Sequence, residues 1–277
     1  MVKIITDTTS CLSPEFARQH DIPVIPQVIN FGDETFLEGV NLSIKDFMQR
    51  LQSSPELPKT AAPPVELFIK EFERLVPSGE AIICIHPSTE LSGTVRSAQV
   101  AAQEFPKADI RIIDTRLVAS PLATLVEKAA GWAEEGLGAN MIETRLQEMM
   151  GRGRIYFLVA TLEYLAKGGR IGGAAALVGS VLQIKPLLTM CDGKIDVLEK
   201  ERTHRRALER LQELVITHVA AQNGHVSVLH AGIPEQGKAL AESLKNRLGL
   251  VDVPIYNMPP AIVTHAGPGV LGVGFFA

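Results

Sequence analysis

TLEYLAKGGRIGG, residues 161–173, is the stretch that decides how this chain folds. Apolar side chains recur at helical spacing at Leu162, Leu165 and Ala166. The paired glycines that follow end this helix, because glycine readily adopts backbone angles that other residues avoid. Arg170 lies in the same glycine-rich corner and offers a planar set of donors that suits a carboxylate or a phosphate. The stretch therefore predicts either an anion-binding corner or an ordinary helix end with a solvated arginine.

Composition indicates a globular protein. The chain has 277 residues, of which 46% are hydrophobic, enough for one large core or two smaller ones. The formal net charge is -4 and the sequence contains no long run of lysine and arginine, which argues against a nucleic-acid partner.

Cysteine usage and the first residues predict a cytoplasmic protein. The three cysteines are widely spaced and form no two-residue pairing motif, which predicts reduced thiols and no zinc knuckle. No pair of histidines or cysteines has the spacing of metal ligands. Residues 1–5 read as the start of a strand rather than as a secretory leader, so we expect no export.

Strand-like and helix-like segments alternate along the chain. Apolar runs at residues 2–6, 81–85, 110–113 and 155–160 are each followed by a polar loop and then a helical pattern. This order predicts an α/β fold of mostly parallel sheets flanked by helices, with ligand sites outside the carboxyl ends of the strands. One exception is a hairpin with an Asp-Gly turn at residues 192–193.

Three segments are less regular. Residues 53–64 form a proline-rich connection that predicts a hinge, a lid or a binding loop. Residues 174–182 are small and apolar, and predict a helix that either packs tightly or lines a cavity. Residues 253–277 contain no charged side chain, but their prolines and glycines favour buried strand and loop over a membrane helix. His265, on a glycine-rich turn in this last segment, is the histidine that most favours a functional role.

A hydrolase is the alternative function. Ser92 and His265, with Asp7 or Asp114, have the residue types of a catalytic triad. Ser92 lacks the flanking glycines of a nucleophile elbow, which favours a chance combination.

A nucleotide site is a further alternative. Residues 232–238 match the phosphate-loop pattern, but Ala239 stands where a hydroxyl would bind magnesium, and Pro234 removes an amide from the loop. This stretch predicts a simple strand-to-helix turn, and the rival interpretation requires nucleotide affinity that depends on Lys238.

Short motifs occur in a fixed order along the whole chain. They are KT at residues 59–60, LSGT at 91–94, TLEYLAKGGRIG at 161–172, IKP at 184–186 and HAGPG at 265–269. No single motif is specific, but together they resemble the DegV family, also known as fatty-acid-binding FakB proteins.

The resemblance implies a fold, a ligand and a partner. It implies a two-domain protein, with α/β domains at residues 1–155 and 156–277 and a ligand tunnel at the domain boundary. The ligand is one long-chain fatty acid such as palmitate, stearate or oleate, and no other cofactor is implied. The protein is then a carrier rather than an enzyme. It presents the carboxylate to a separate FakA-type fatty-acid kinase that uses ATP and feeds phospholipid synthesis, with transient membrane contact.

The resemblance also implies a set of residues around the fatty-acid carboxylate. Carried over by matching motif, they are Thr60, Ser92, Gly93, Arg170 and His265. Ala61 and Ala62 follow Thr60 where the family pattern has serine and glutamine, which predicts one polar contact fewer near the head group.

Overall fold

A computed structural model describes residues 1–179, 184–221 and 224–277. The chain divides into two compact units, Met1–Gly151 and Arg152–Ala277. Within the described ranges, no helix is both long enough and apolar enough to span a bilayer.

The first unit contains two sheets and the helices that connect their strands. Its strands are β1 (Lys3–Asp7), β2 (Val24–Ile25), β3 (Val28–Phe31), β4 (Glu34–Leu37), β5 (Lys59–Ala61), β6 (Ile82–His86) and β7 (Ile110–Asp114). Its helices are α1 (Pro14–Gln19), α2 (Ile44–Ser53), α3 (Val65–Leu75), α4 (Thr94–Ala102), α5 (Ser120–Glu134) and α6 (Ala139–Met150), with 3₁₀ turns at Thr8–Ser10 and Val76–Ser78.

The larger sheet of this unit is parallel, as the sequence predicts. Its order is β2-β1-β6-β7, and every neighbouring pair runs parallel. Phe68 and Phe72 of α3 are fully buried and pack with Ile82 and Cys84 of β6 in one core cluster. Burial raises the pKa of the Cys84 thiol, so this cysteine is an unreactive core residue.

The smaller sheet includes a strand from the proline-rich connection, which the sequence does not predict. Its order is β4-β3-β5, both pairs are antiparallel, and β5 lies inside residues 53–64. Thr60 is the central residue of β5 and pairs with Ile29. A strand therefore fixes the backbone of Thr60, where the sequence predicts a hinge, a lid or a loop.

The second unit has one six-stranded sheet. Its strands are β8 (Gly153–Leu158), β9 (Lys185–Cys191), β10 (Lys194–Glu201), β11 (Ser227–His230), β12 (Ile255–Asn257) and β13 (Leu271–Phe276). Its helices are α7 (Glu163–Lys167), α8 (His204–His218), α9 (Pro234–Leu248) and α10 (Pro260–Ala266), with a 3₁₀ segment at Gly172–Leu177.

The α/β class is confirmed, but the prediction of mostly parallel sheets is wrong for this unit. The sheet order is β10-β9-β8-β13-β11-β12, and only β11 and β12 form a parallel pair among its described strands. The difference goes together with short helices in the connections between these strands. A parallel neighbour requires a connection that returns the chain along the whole strand. The five residues of α7 and the seven of α10 rise only about 7 to 11 Å, whereas a six-residue strand spans about 20 Å.

A long helix in the same unit connects two parallel neighbours. Helix α9 has 15 residues and joins the parallel neighbours β11 and β12. The short helices end where the sequence places its breakers, at the paired glycines after α7 and at Gly267 after α10. The glycine-rich corner thus lies in the connection between β8 and its antiparallel neighbour β9.

Two segments of the second unit differ in part from expectation. The uncharged segment 253–277 does contain a buried strand, β13, but it also contains helix α10, which the proline and glycine content concealed. His265 is therefore in the last turn of a helix rather than on a turn. The predicted helix at residues 174–182 is represented by the 3₁₀ segment Gly172–Leu177, and residues 180–182 lie outside the described ranges.

A fully buried polar pair of the first unit leads to a stability prediction. His86 and Asp7 are both fully buried at the carboxyl ends of β6 and β1, with 2.7 Å between Nδ1 and Oδ2. We expect His86→Leu to lower the free energy of unfolding by about 3 kcal/mol, because a buried carboxylate loses a donor. Chemical denaturation measures this change.

A surface pair of the same chemistry is the control. His20 Nδ1 lies 2.5 Å from Oε1 of the half-exposed Glu134. His20→Leu should cost less than about 1 kcal/mol, because solvent screens such pairs. Equal losses in both variants would show that burial of the pair is not what makes His86 important.

Candidate functional site

Ser92 and Gly93 lie where the chain passes from β6 into α4. The loop leaves the carboxyl end of β6, and Gly93 is the exposed N-cap residue of α4, without a side chain to cap the helix. A β-carbon built on Gly93 would lie 3.3 Å from the β-carbon of Ala62. Since Ala62 is two residues beyond Thr60, the structure brings the end of β5 beside the Ser92 loop within the first unit.

A buried carboxylate lies behind this loop. Asp7 is fully buried and its Oδ1 accepts hydrogen bonds from the Thr9 amide at 3.0 Å and the Thr9 hydroxyl at 2.6 Å. Its Oδ2 lies 2.7 Å from His86 Nδ1. Gln27, also buried, donates its side-chain amide to Oδ1 at 3.0 Å. Burying a charged group without such partners is costly, and Asp7 is surrounded by donors.

The same amide connects Asp7 to the loop. Gln27 Nε2 lies 2.8 Å from the hydroxyl of Thr94, the first residue of α4, which is fully buried. Thr94 Oγ1 lies 2.8 Å from Ser92 Oγ. A continuous hydrogen-bonded series thus runs from the buried carboxylate to the half-buried Ser92.

Arg170 in the second unit is held by its own corner. Its main-chain amide donates to the carbonyl of Leu165 at 3.0 Å, and its Nη1 donates to the carbonyl of Gly168 at 2.7 Å. These bonds fix both the backbone and one edge of the guanidinium. The positive charge therefore has a defined position at the end of α7.

His265 packs against the same corner. A β-carbon on Gly168 would lie 2.3 Å from His265 Nδ1, so only glycine admits the imidazole there. Burial, and secondarily the charge of Arg170, lowers the pKa of His265 to about 4 from 6.5. The imidazole is therefore neutral near pH 7 and has one N–H to donate.

The glycine after His265 has a similar steric role. Gly267 has φ +82°, and a β-carbon there would lie 2.7 Å from the ring of Tyr164. Tyr164 belongs to α7, so the turn after α10 packs directly on the helix that precedes Arg170. The two motifs of the second unit, 161–172 and 265–269, are thus parts of one structure.

A cavity of about 490 Å³ lies on another side of α7. Its apolar lining includes Val159, Leu162, Ala166, Leu177, Val178 and Ile184. Arg170 and His265 are not among its described lining residues. The volume is within the range of small-molecule pockets.

The residues of the alternative hydrolase have other partners. Ser92 is hydrogen-bonded to Thr94, Asp7 to the buried set around His86, and Asp114 to the Thr89 hydroxyl at 2.6 Å. None of these contacts gives Ser92 a general base.

The phosphate-loop match is a helix start. Helix α9 begins at Pro234, and Lys238 Nζ lies 2.9 Å from Glu235 Oε1 on an exposed surface. This agrees with the predicted strand-to-helix turn. Within the described part of the chain, no group of three or more histidine, cysteine or acidic side chains is placed to hold a metal ion.

Sequence reasoning missed the residues behind Ser92. Gln27 has no motif, and Thr94 is part of one without an assigned role. The one sequence signal that we recognise is the position of Gln27 between two short apolar runs. This signal is weak, because glutamine is usually exposed.

The pair formed by Arg170 and His265 yields a titration prediction. Arg170→Gln should raise the pKa of His265, because it removes a nearby positive charge, although burial keeps the value below 6.5. NMR titration of the imidazole measures the shift. Lys167→Gln is the control, since Lys167 is an exposed cation of the same corner and is paired with Glu163 at 2.6 Å. An unchanged His265 pKa in Arg170→Gln would contradict the electrostatic coupling.

A DegV domain-containing protein of Halalkalibacterium halodurans is 36% identical over 277 residues, covering 99% of this chain and 98% of the relative. The fatty-acid-binding DegV family protein of Streptococcus agalactiae has a TM-score of 0.92 at 29% identity, covering 100% of this chain and 98% of that one. A stearic-acid-binding protein of Eubacterium ventriosum has a TM-score of 0.91 at 26% identity, covering 100% and 98%. The model of the DegV family matches residues 1–277, so the chain belongs to the DegV family.

Proposed function

We propose that this chain binds one long-chain fatty acid and presents its carboxylate to a FakA-type kinase for conversion to an acyl phosphate. The observation that carries the proposal is the fixed guanidinium of Arg170 beside a neutral His265. The solved relatives of Streptococcus agalactiae and Eubacterium ventriosum, which share the fold over their full length, bind fatty acids.

The residues of the second unit suit the head group. A guanidinium pairs with a carboxylate through charge-assisted hydrogen bonds, and a neutral imidazole adds one N–H donor without adding charge. The charge of Arg170 contributes to the low pKa of His265. A bound carboxylate would offset this charge, pair with the guanidinium and accept a hydrogen bond from the imidazole.

The residues of the first unit supply neutral donors. Thr60 and Ser92 have hydroxyl groups, and the Gly93 amide can donate without interference from a side chain. Ser92 and Gly93 lie at the N-terminal end of α4, where the helix dipole favours negative charge. We propose that these three residues donate hydrogen bonds to the fatty-acid carboxylate.

The tail supplies most of the affinity. A sixteen-carbon acid has about fourteen methylenes, and burying them contributes roughly 11 kcal/mol at about 0.8 kcal/mol each. Association and chain ordering offset several kcal/mol of this. Part of the tail site is proposed to lie along residues 174–179, of which Leu177 and Val178 line the 490 Å³ cavity. The rest of the small, apolar run, residues 180–182, lies outside the described ranges.

This division of labour fits a carrier better than a hydrolase. If the tail sets affinity, the head-group contacts are free to set the position of the carboxylate for a second protein. The kinase then transfers the terminal phosphoryl group of ATP to a carboxylate oxygen and releases ADP. Among the described residues, no contact of Ser92 supplies the base that ester hydrolysis requires.

The first prediction of this proposal concerns the purified protein. Native mass spectrometry of protein from a bacterial host should show a mass excess that corresponds to one fatty acid, because the buried tail dissociates slowly. Denaturing extraction should release the molecule for identification. Delipidated protein should take up palmitate or oleate.

An empty protein that also fails to take up either acid would contradict the proposal. Turnover of an activated ester that disappears in Ser92→Ala would then favour the hydrolase.

The second prediction separates presentation from binding. Arg170→Ala should reduce acyl phosphate formation by a FakA-type kinase with ATP at least about tenfold, because the carboxylate loses its charged partner. Palmitate affinity should fall less, because the tail is unchanged. ADP release and calorimetry measure the two quantities.

Arg205→Ala is the control, since it removes an exposed cation of the same unit that is paired with Glu209 and does not line the cavity, and it should leave both quantities unchanged. Equal, small losses in Arg170→Ala would remove Arg170 from the head-group assignment.

A further inference from the structure

We infer that Thr94 and Gln27 are positioning residues that make the Ser92 hydroxyl a hydrogen-bond donor only, and so make this part of the site specific for a head group that accepts hydrogen bonds. The inference rests on the proposed function, because it specifies how Ser92 meets the carboxylate. It depends on the direction of each hydrogen bond between Asp7 and Ser92.

The Asp7 carboxylate, at the buried end of the series, determines which atom donates in each hydrogen bond. Asp7 Oδ1 accepts from the main-chain amide of Thr9 at 3.0 Å, and a main-chain amide can only donate. Gln27 therefore faces Oδ1, 3.0 Å away, with its NH₂ group rather than with its carbonyl. An amide nitrogen has two hydrogens and does not accept.

The second hydrogen of Gln27 fixes Thr94. The same Nε2 lies 2.8 Å from Thr94 Oγ1, so the Thr94 oxygen accepts this bond. The Thr94 hydroxyl hydrogen must then go to another acceptor, because a fully buried hydroxyl without one is costly. In the described structure its neighbour is Ser92 Oγ at 2.8 Å. Thr94 is thus the donor in its bond with Ser92.

Ser92 receives a second bond from the same residue. The main-chain amide of Thr94 donates to Ser92 Oγ at 3.4 Å. A serine oxygen has two lone pairs, and both now face Thr94. Within the described part of the chain, the Ser92 side chain has no other hydrogen-bond partner. Its own hydrogen is left to donate, and its oxygen has no capacity to accept from a ligand.

This arrangement selects the chemistry of the ligand. A carboxylate accepts hydrogen bonds and never donates them, so it matches a donor-only serine. A head group that must donate at this point, such as a primary amide nitrogen, meets an oxygen that cannot accept. The Ser92 side chain is already held by Thr94 before binding, which lowers the entropic cost of ordering it.

Thr94→Val tests the inference, because it removes the hydroxyl and keeps the shape. Palmitate affinity should fall by about three- to tenfold, the range for one hydrogen bond. Affinity for hexadecanol should change by less than about twofold, because an alcohol can either donate or accept. Thr94→Ser should restore palmitate binding. Calorimetry with delipidated protein measures all three.

Two further variants separate positioning from general structure. In a Ser92→Ala background, Thr94→Val should change palmitate affinity by less than about twofold, because its effect acts through Ser92. Gln27→Met should weaken palmitate binding although Ser92 and Thr94 are intact. Thr124→Val is the control, since the buried Thr124 hydroxyl donates only to the Ser120 carbonyl at 3.1 Å.

The outcomes are distinguishable. Wild-type protein that binds no fatty acid overturns the proposed function and this inference together. Wild-type binding with equal losses for palmitate and hexadecanol in Thr94→Val, or with additive effects in the Ser92→Ala background, overturns the inference alone. Failure of Thr94→Ser to restore palmitate binding would do the same.

Discussion

The buried carboxylate of Asp7 is the constraint on which the first unit depends. A charged group with no solvent contact is stable only when donors surround it, and here they come from separate parts of the chain. Thr9 follows β1, His86 ends β6, and Gln27 lies between β2 and β3. Satisfying one carboxylate therefore aligns the strand ends and the connection beside them. Through Gln27 the same requirement reaches Thr94 and orients the Ser92 hydroxyl.

In the second unit, glycines rather than a buried charge bring distant residues together. Arg170 and His265 come close because Gly168 lets the imidazole approach the backbone and Gly267 lets the chain turn against Tyr164. The closeness has an electrostatic consequence, since the guanidinium adds to the burial that keeps His265 neutral. The candidate residues of the two units differ in chemistry. One supplies hydroxyl and amide groups, and the other supplies a fixed cation and a neutral imidazole.

Helix length links the sequence breakers to the topology of the second sheet. The connections that contain the short helices α7 and α10 lead to strands β9 and β13, whose described pairs are antiparallel. The uninterrupted helix α9 gives a parallel pair. The glycines at the corner therefore end α7, hold Arg170 beside His265, and lie in the connection that leads to the antiparallel strand β9.

The amino-acid sequence alone predicts the α/β class, the helix end at the glycine-rich corner and, through its motifs, the resemblance to the DegV family. These features are local, since they depend on periodicity, on breakers and on short strings of residues. It did not determine the direction of the strands in the second unit, strand β5 or helix α10. Nor did it reveal the contacts of Gln27, which reach 20 residues to Asp7 and 67 residues to Thr94. Strand directions, strand β5, helix α10 and the contacts of Gln27 depend on tertiary packing. A hydrogen bond between side chains that are distant in sequence forms only once packing has brought them together, and no local sequence pattern encodes such a contact.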